Sequence, residues 1–397
     1  MMRRAVVIDV VRSPFGRGRA GGALDGLHPV SLYAGVLRAL VARTGVDPAL
    51  VEDVITGCVL QVAEQAGNIA RHAALAAGLP HSAAGVTLDR KCGSAQQAVD
   101  FAAQGIIAGA YDVVIAGGVE MMSRVPMRAN RQGRDELGPM FRERFPRGLV
   151  HQGIAAELIA ARWDLSREEL DRFSLRSHQL AAAAEDAGIT ARSIVSVRVE
   201  DDAGGHEVTR DEGLRRDTSI ERLAALRPAF HDEAVAAAWP GIAWRITAGN
   251  SSQVTDGAGA VLLAEEGVAA RLGLEPRAAI THFAVVGDDP VQMLTAIMPA
   301  TRRVLARARR TVGDIDAWEV NEAFASVVLA WLREMEVDPA LVNRYGGAIA
   351  LGHPVGASGT RLLANLLAAL ELGGGRFGVQ TMCESGGMAN ATLIERL

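Results

Sequence analysis

The sequence is sparing with several residue types, and each shortage removes a class of protein. Among 397 residues there are three cysteines. No two of them stand in a CxxC spacing, which excludes a disulfide scaffold or a structural zinc site and fits a reducing compartment. Long apolar runs are missing as well. No stretch approaches the roughly 18 to 20 residues that span a bilayer, and the apolar run in MMRRAVVIDVVRSP is cut by Asp9 too soon for a signal peptide. Positive charge is not in excess, because 41 Lys and Arg against 46 Asp and Glu give a net charge of -5 and a pI near 6.0. That balance excludes a general nucleic-acid binder and requires any anionic ligand to be met by local positive charge. Lysine itself is nearly absent, Lys91 being the only one, a bias in keeping with codon usage. The C-terminal ERL is no targeting tripeptide, so a cytoplasmic enzyme with no membrane or nucleic-acid partner is expected.

What is present is an ordinary composition, 49% hydrophobic and 22% charged, on a chain long enough for two or three domains and a large core. Strands and helices alternate. Strands at 6–11 and 54–59, helices at 29–43 and 68–77, a helix ending near Gly109 and a strand at 113–116 closed by Gly117-Gly118 indicate a layered α/β unit with a mostly parallel sheet. GRGRAG, from Gly16 to Gly21, matches a dinucleotide fingerprint by letter. Ser13-Pro14 before it and Gly21-Gly22-Ala23 after it keep the segment a loop, so it is not read as a nucleotide site.

From Met121 to about Ala248 strands become rare, although Ser166 and Glu169 form a capping box for a helix reaching about Gly188 and β-like pieces recur at 194–200. The alternation resumes with a strand at 260–264. Past Pro276, strands are predicted at 278–280, 317–320, 377–382 and 392–394, with helices at 299–309, 323–335 and 360–370. Two α/β halves therefore flank a middle segment, and their shared layout hints at an internal duplication.

Four stretches carry chemistry. In VTLDRKCGSAQQAVDFAAQGIIAGAY, Cys92 sits where a strand gives way to a helix whose apolar face is Ala95, Ala98, Val99, Ala102 and Ile106. Backbone N–H groups and the macrodipole at a helix N-terminus favour a thiolate, and Lys91 beside it acts in the same sense. Cys92 is then either a nucleophile or a small buried hydrophobe; Cys58, in TGCVL, reads as structural. In GGAIALGHPVGASGT, Pro354 holds His353 extended and the glycines allow close approach, so His353 is either a positioned base or donor or a satisfied structural histidine. NEAFASVVLAW sets Asn321 directly after a strand, as an active-site polar group or as a helix cap. In TMCESGGMANA, Cys383 leaves a strand into a Ser385-Gly386-Gly387 turn. Two cysteines at strand ends in different halves can share one pocket as nucleophile and acid/base.

A crowd of arginines, Arg124, Arg128, Arg131, Arg134, Arg142, Arg144 and Arg147, faces only Asp135, Glu136 and Glu143. It is read as a solvated face, with a subset able to meet ligand phosphates.

Together CGSAQQA, AGGVEMMS, TAGNSSQVTDGA, NEAFAS, GGAIALGHPVGASG and TMCESGGMA, in this order and over essentially the whole chain, resemble the thiolase family. The resemblance implies an α/β fold of five layers, αβαβα, made of two related halves with an inserted loop domain. The corresponding boundaries are 1–121 with 253–274 for the N-terminal half, 122–252 for the loop domain on the coenzyme A side, and 275–397 for the C-terminal half. It implies an acyltransferase that cleaves 3-oxoacyl-CoA with coenzyme A to acetyl-CoA and a shortened acyl-CoA, as in fatty acid β-oxidation, reversibly. In this family Cys92 would carry the acyl group, His353 would activate it, Cys383 would act as acid/base, and Asn321 would fix a water. That water and His353 would form one oxyanion hole, and the backbone N–H groups of Cys92 and Ser385 the other. Arg215, Ser252 and His151 would lie near coenzyme A, and Phe230, Met293, Ala323 and Phe324 would line its pantetheine and acyl end. Coenzyme A is substrate, no metal or other cofactor is implied, and a homodimer or homotetramer is expected.

Several positions depart from the family pattern. Ser385 stands where glycine is common, which would strain it if positive φ is required. Asp89 and Lys91 flank Cys92, and HDEAVAAAWPGIAWRI is longer than in short-chain enzymes. QQA after Cys92 and the tail CESGGMANATLIERL lean toward degradative thiolases, including those for steroid or ring-derived acyl-CoA. The alternatives are a biosynthetic acetoacetyl-CoA thiolase, a condensing synthase of the same fold, against which Cys383 argues, and a non-catalytic thiolase-like lipid carrier.

Overall fold

A computed structural model describes residues 3–146, 148–200 and 204–397; Arg147 of the arginine crowd lies outside them. The first half contains β1 (Ala5–Arg12), β2 (Gly16–Arg17), α1 (Pro29–Thr44), β3 (Asp53–Gly57), α2 (Ile69–Ala76), β4 (Val86–Leu88), α3 (Ser94–Ala108) and β5 (Val113–Met121). The middle segment contains α4 (Gly138–Arg144), α5 (Gln152–Arg162), α6 (Arg167–Asp186), β6 (Val197–Val199), β7 (His206–Val208), α7 (Ile220–Ala224) and α8 (Glu233–Ala238). Then follow β8 (Thr255–Glu265), α9 (Glu266–Leu272), β9 (Ala278–Gly287), α10 (Ile297–Ala308), β10 (Ala317–Val320), α11 (Ala325–Met335), α12 (Ala348–Leu351), α13 (Ser358–Gly373), β11 (Phe377–Glu384) and β12 (Met388–Arg396).

Local chemistry sets many of these ends. Helix α1 starts with Pro29 behind His28, whose Nδ1 accepts from Val30 N–H, and stops at Gly45 with φ 67. Ser166 and Glu169 form the expected capping box for α6. The GRGRAG segment enters no helix: β2 takes Gly16 and Arg17 and the rest is turn.

The large sheet runs β10-β11-β12-β9-β1-β8-β5-β3-β4, with β2 beside β8. Its two parts join where β1 and β9 pair over only Ala5–Ile280, Val6–Ala279 and Val7–Ala278. Each part repeats one plan. The path β3-β5-β8-β1 is parallel, antiparallel, antiparallel, and so is the path β10-β11-β12-β9. This shared order and pairing sense makes the duplication, faint in sequence, explicit in topology.

The sheet is mixed rather than mostly parallel. Only β3–β4, β3–β5 and β10–β11 are parallel among the pairs of named strands. Helix–strand alternation fixes the direction only of strands joined by crossovers, whereas β11 and β12 meet through a short turn and must run antiparallel. Strand β5 also continues through Gly117-Gly118 instead of closing there. A Cβ at Gly117 would stand 2.1 Å from Gly259 O, and one at Gly118 2.0 Å from Gly356 O. These glycines mark close passage of neighbouring backbone, not a turn.

Helices α3 and α13 lie against each other and against strands of both parts of the sheet, so they form a middle layer. Along α13 the run from Ser358 to Leu370 is buried at every position. Outside one part lie α1 and α2, outside the other α10 and α11, giving α-β-α-β-α. The middle segment leaves the chain from the first half but packs on the second. Ala156 and Ile159 of α5 and Leu170 and Phe173 of α6 share a core with Val327, Val328 and Trp331 of α11, and Ser326 Oγ donates to Ala156 O at 3.0 Å. A buried bidentate pair, Arg12 to Asp211 at 2.6 and 2.7 Å, ties it back to β1. No helix among the described residues is long and apolar enough to cross a membrane.

Replacing Gly118 by Ala forces a methyl group onto the Gly356 carbonyl. The variant is expected to lose roughly 1–3 kcal/mol of stability, read as a lower urea midpoint; an unchanged midpoint would contradict the close crossing of β5 and the His353 loop.

Candidate active site

Cys92 is held by a tight turn before α3. Gly93 N–H donates to Arg90 O at 3.1 Å and Ser94 N–H to Lys91 O at 3.0 Å. Ser94 Oγ accepts from Arg90 N–H at 2.8 Å and donates to Lys91 O at 2.6 Å. The turn leaves Lys91 at φ 50 and Cys92 6% exposed. Cys92 shares a buried cluster with Val355, from the His353 loop, and with Met382, which precedes Cys383.

The His353 loop arrives from the other half. His353 N–H donates to Gln253 O at 3.2 Å and to Thr255 Oγ1 at 2.9 Å. Its Nδ1 stands 2.6 Å from Ser358 Oγ, and that hydroxyl donates its single proton to Pro354 O at 2.9 Å. Ser358 therefore accepts, Nδ1 carries the ring proton, and Nε2 presents a lone pair. Among the described residues Nε2 is buried without a hydrogen-bond partner.

Asn321 does not cap a helix, since α11 starts at Ala325 with Phe324 as its N-cap. Asn321 N–H donates at 3.1 Å to Thr381 O, on the same strand as Cys383. Both polar atoms of its buried side chain are without partners among the described residues, which suits a group that engages a ligand or water. Cys383 lies next to the last residue of β11, deep in the core. Ser385 is not in the left-handed region; that conformation falls on Gly386 and Gly387, with φ 89 and 80. The serine is thus accommodated without backbone strain.

Burial dominates the electrostatics. The Cys92 thiol is pushed up to about 12 by burial and then by the Glu384 carboxylate, against the opposing effect of its own backbone N–H and of Lys91. This overturns the expected thiolate. Cys92 stands two residues ahead of Ser94, in an enclosed site, and the Lys91 ammonium is engaged by Asp89 at 2.6 Å. Burial, followed by Cys92 itself, raises Cys383 well above the ordinary thiol range, so the two thiols sense each other. His353 is lowered to about 3 by burial and then by Arg361. The resting centre is two neutral thiols and a neutral imidazole.

Two cavities flank this centre. One, of about 560 Å³, is lined by Lys91, Ser385, Met293, His151 and Arg128 among others. The other, of about 270 Å³, holds Arg215, His178, Arg222, Gly249 and Gln253, and Arg215 N–H donates to His178 Nδ1 at 3.2 Å. Most of the residues expected at the substrate do gather. The His151 and Phe230 rings are 5.2 Å apart, Phe324 meets Phe230 edge-on at 5.9 Å, and Ser252 N–H donates to Ala323 O at 2.9 Å. His151 also has a structural task, its Nδ1 capping α5 by accepting from Gly153 N–H at 3.1 Å. Arg215 stands apart in the smaller cavity.

A third, apolar cavity of about 950 Å³ borders His151 and Phe230. It is walled by Val150, Ile154, Val235 and Trp239, so the long HDEAVAAAWPGIAWRI segment supplies its far side as α8. Trp244 instead packs edge-on against His231 at 4.8 Å.

Sequence reasoning passed over four supports. Ser358 fixes the imidazole, and Gln253 joins the two sides, accepting from His353 N–H while its Nε2 donates to Gly213 O at 3.0 Å and Ile349 O at 2.8 Å. Glu120 accepts from Val59 and Leu60 N–H at 2.8 and 3.2 Å and from Gln65 at 2.7 Å, and Gly356 N–H also serves it. Glu384 lies against Gly93, where a Cβ would meet its Oε1 at 2.1 Å. A glutamate inside AGGVEMMS, at the end of an apolar strand, was the available signal for Glu120.

Comparison with known proteins agrees with this geometry. Residues 5–267 match the thiolase N-terminal domain and residues 274–396 the thiolase C-terminal domain. The chain is 47% identical over 405 residues to a steroid 3-ketoacyl-CoA thiolase of Mycobacterium tuberculosis, covering 100% of this chain and 95% of that one. It is 42% identical over 400 residues to a 3-ketoacyl-CoA thiolase of Hahella chejuensis, covering 100% and 99%. The crystal structure of an acetyl-CoA acetyltransferase from Bacillus anthracis superposes with a TM-score of 0.89 at 36% identity over 100% of this chain and 99% of that one. With the five-layered fold, two coupled thiols in one buried centre and both domain models matched, this protein belongs to the thiolase family.

Proposed function

We propose that the protein is a degradative acyl-CoA C-acyltransferase, which cleaves a 3-oxoacyl-CoA with coenzyme A into acetyl-CoA and a shortened acyl-CoA. The observation that carries this reading is that Cys92 shares one buried cluster with Val355 of the His353 loop and with Met382 beside Cys383, from the other half of the chain, together with the buried His353 Nε2 that has no partner among the described residues. A synthase with a single thiol has no use for the second cysteine, and a lipid carrier has no use for a free imidazole lone pair. A biosynthetic condensation of two acetyl-CoA is the weaker reading, because the cavities of about 560 and 950 Å³ exceed what an acetyl group needs.

In the proposed reaction His353 Nε2 takes the Cys92 proton and the sulfur attacks the 3-keto carbon, placing negative charge on its oxygen. Backbone N–H groups of Cys92 and Ser385 donate to that oxyanion. The C2–C3 bond breaks, its electron pair passes to C2, and the resulting thioester enolate is stabilised by His353 and a water held by Asn321. Cys383 gives its proton to C2, and acetyl-CoA leaves with the acyl group still on Cys92. The Cys383 thiolate then deprotonates a second coenzyme A, whose sulfur attacks the acyl-Cys92 carbonyl. The tetrahedral species collapses, releasing the shortened acyl-CoA, and Cys92 sulfur recovers the proton from His353. High thiol pKa values suit this cycle, since the C2 carbanion needs a protonated Cys383.

Coenzyme A is assigned to Arg215, Ser252 and His151, and its pantetheine and acyl end to Phe230, Met293, Ala323 and Phe324. Residues 122–252 act as the inserted domain between 1–121 and 253–274 of the N-terminal half, ahead of a C-terminal half at 275–397. The outer edge strand β4 carries exposed Val86 and partly buried Leu88, with exposed Phe101 on α3. Such an edge supports a homo-oligomer. Three free, buried cysteines support a reducing, cytoplasmic setting.

Incubation with a 3-oxoacyl-CoA should leave an acyl mass on the Cys92 peptide, absent from Cys92→Ala; intact protein that stays unmodified at every chain length would refute the proposal. Cys383→Ala should stop turnover while slow acylation persists, and turnover at the wild-type rate would remove its acid/base role. Ser358→Ala should lower kcat roughly 10-fold or more with KM nearly constant, because the imidazole loses its fixed tautomer. A change confined to KM would instead make Ser358 a binding group.

A further inference from the structure

We propose that Glu384 stands between the two reacting cysteines as a neutral carboxylic acid, and that loss of its proton at alkaline pH turns the reaction off; the inference rests on the roles given to the cysteines above. Glu384 directly follows Cys383 and is the last residue of β11, and its carboxyl reaches the turn that holds Cys92. A Cβ on Gly93, the residue after Cys92, would stand 2.1 Å from Glu384 Oε1 and 2.9 Å from Asn390 Nδ2. One acidic side chain thus joins the turn of the first cysteine to the strand of the second.

The surroundings suit the acid rather than its anion. Glu384 is fully buried, and neither of its oxygens has a hydrogen-bond partner among the described residues. An ionised carboxylate offers only acceptors and is costly where no donor meets them. Asn390, reaching the same point, spends its Nδ2 on Gly93 O at 3.1 Å, while its Oδ1 is buried without a partner among the described residues. A protonated Glu384 supplies the kind of group this corner is short of, a donor.

The charges facing Glu384 lie on the turn before α3 and on α3 itself. Burial pushes the carboxyl up to about 8; Arg90 in the turn works against this, and Asp100 on α3 and Asp89 in the turn add to it. Asp100 accepts from Thr392 Oγ1 at 2.7 Å and is itself pushed up to about 8 by burial, so the two carboxyls resist ionising together. Lys91 is held by Asp89 and favours the Cys92 anion. Once ionised, Glu384 opposes negative charge on both sulfurs. In the proposed cycle Cys92 sheds its proton as its sulfur attacks, and Cys383 is left as a thiolate after C2 is protonated. Both steps set an anion beside Glu384, so the neutral carboxyl permits them and the charged one raises their cost. Activity is then present while Glu384 keeps its proton and falls as pH rises through the point where it is lost.

The test is alkylation of Cys92 by iodoacetamide in the full-length protein between about pH 6.5 and about pH 9.5, read as the mass of its peptide. Near the acid end wild type and Glu384→Gln should react at rates within about twofold, since both present a neutral group. Near the alkaline end Glu384→Gln should react roughly 10-fold faster, the equivalent of about one pKa unit in the thiol, and Glu384→Asp should stay close to wild type. In thiolysis the alkaline fall of the wild-type kcat should move up by about one pH unit in Glu384→Gln. Equal rates at both ends, or one constant ratio across them, would make Glu384 a packing residue and overturn the proposal. Should Glu384→Gln not fold, Asp100→Asn asks the same question: with that charge gone Glu384 ionises more readily, and the fall in kcat should come at lower pH, an unchanged profile overturning the proposal. If no 3-oxoacyl-CoA is cleaved and Cys92 takes up no acyl group, the thiolase reading fails, whereas the alkylation rates still decide the role of Glu384.

Discussion

The structure depends on backbone packing against backbone at the heart of the middle layer. Strand β3 against the start of α3, β5 against the loop before α13, and the start of α13 against α3 all approach until no side chain fits between them. A Cβ on Gly57 would meet Ala95 N at 2.5 Å, one on Gly118 would meet Gly356 O at 2.0 Å, and one on Gly359 would meet Gln96 N at 2.4 Å. Close packing of this kind transmits position with little slack. It is what brings the Cys92 turn of one half into the same core as the His353 loop and Cys383 strand of the other.

Enclosure has an electrostatic consequence. Every candidate reacting group is shifted toward its neutral form, the thiols upward and the imidazole downward. A centre of neutral groups suits chemistry in which charge develops only during the reaction itself. Buried polar atoms such as those of Asn321 and His353, without partners among the described residues, are costly unless something completes their hydrogen bonds. Their persistence is understandable where a bound molecule completes their hydrogen bonds.

The middle segment shows how a specific enzyme is made from a repeated frame. Where β11 and β12 connect by a three-residue turn, the equivalent β5 and β8 are separated by the whole run from α4 to α8. That insertion packs on α11 of the opposite half and provides or borders all three cavities beside the centre.

Much of this was legible from residue order alone. The apolar periodicity of Ala95 to Ile106, the Ser166–Glu169 box and the motif loops around Cys92, Asn321, His353 and Cys383 are local signals, because the groups that produce them lie within a few residues of one another. The strand directions were not legible, since alternation constrains crossovers and leaves the returns of β8 and β12 open. Gly117-Gly118 read as a strand end because the backbone pressing on them belongs to residues 259 and 356, far away in sequence. The state of Cys92 was misjudged for the same reason: a helix start and Lys91 are visible locally, whereas its enclosure and Glu384 come from the other half of the chain. Sequence alone determined which groups are available for catalysis and the order of the elements that carry them. Tertiary structure alone decided which of those groups meet and how far they are shielded from water, since distance and desolvation depend on segments that only folding brings together.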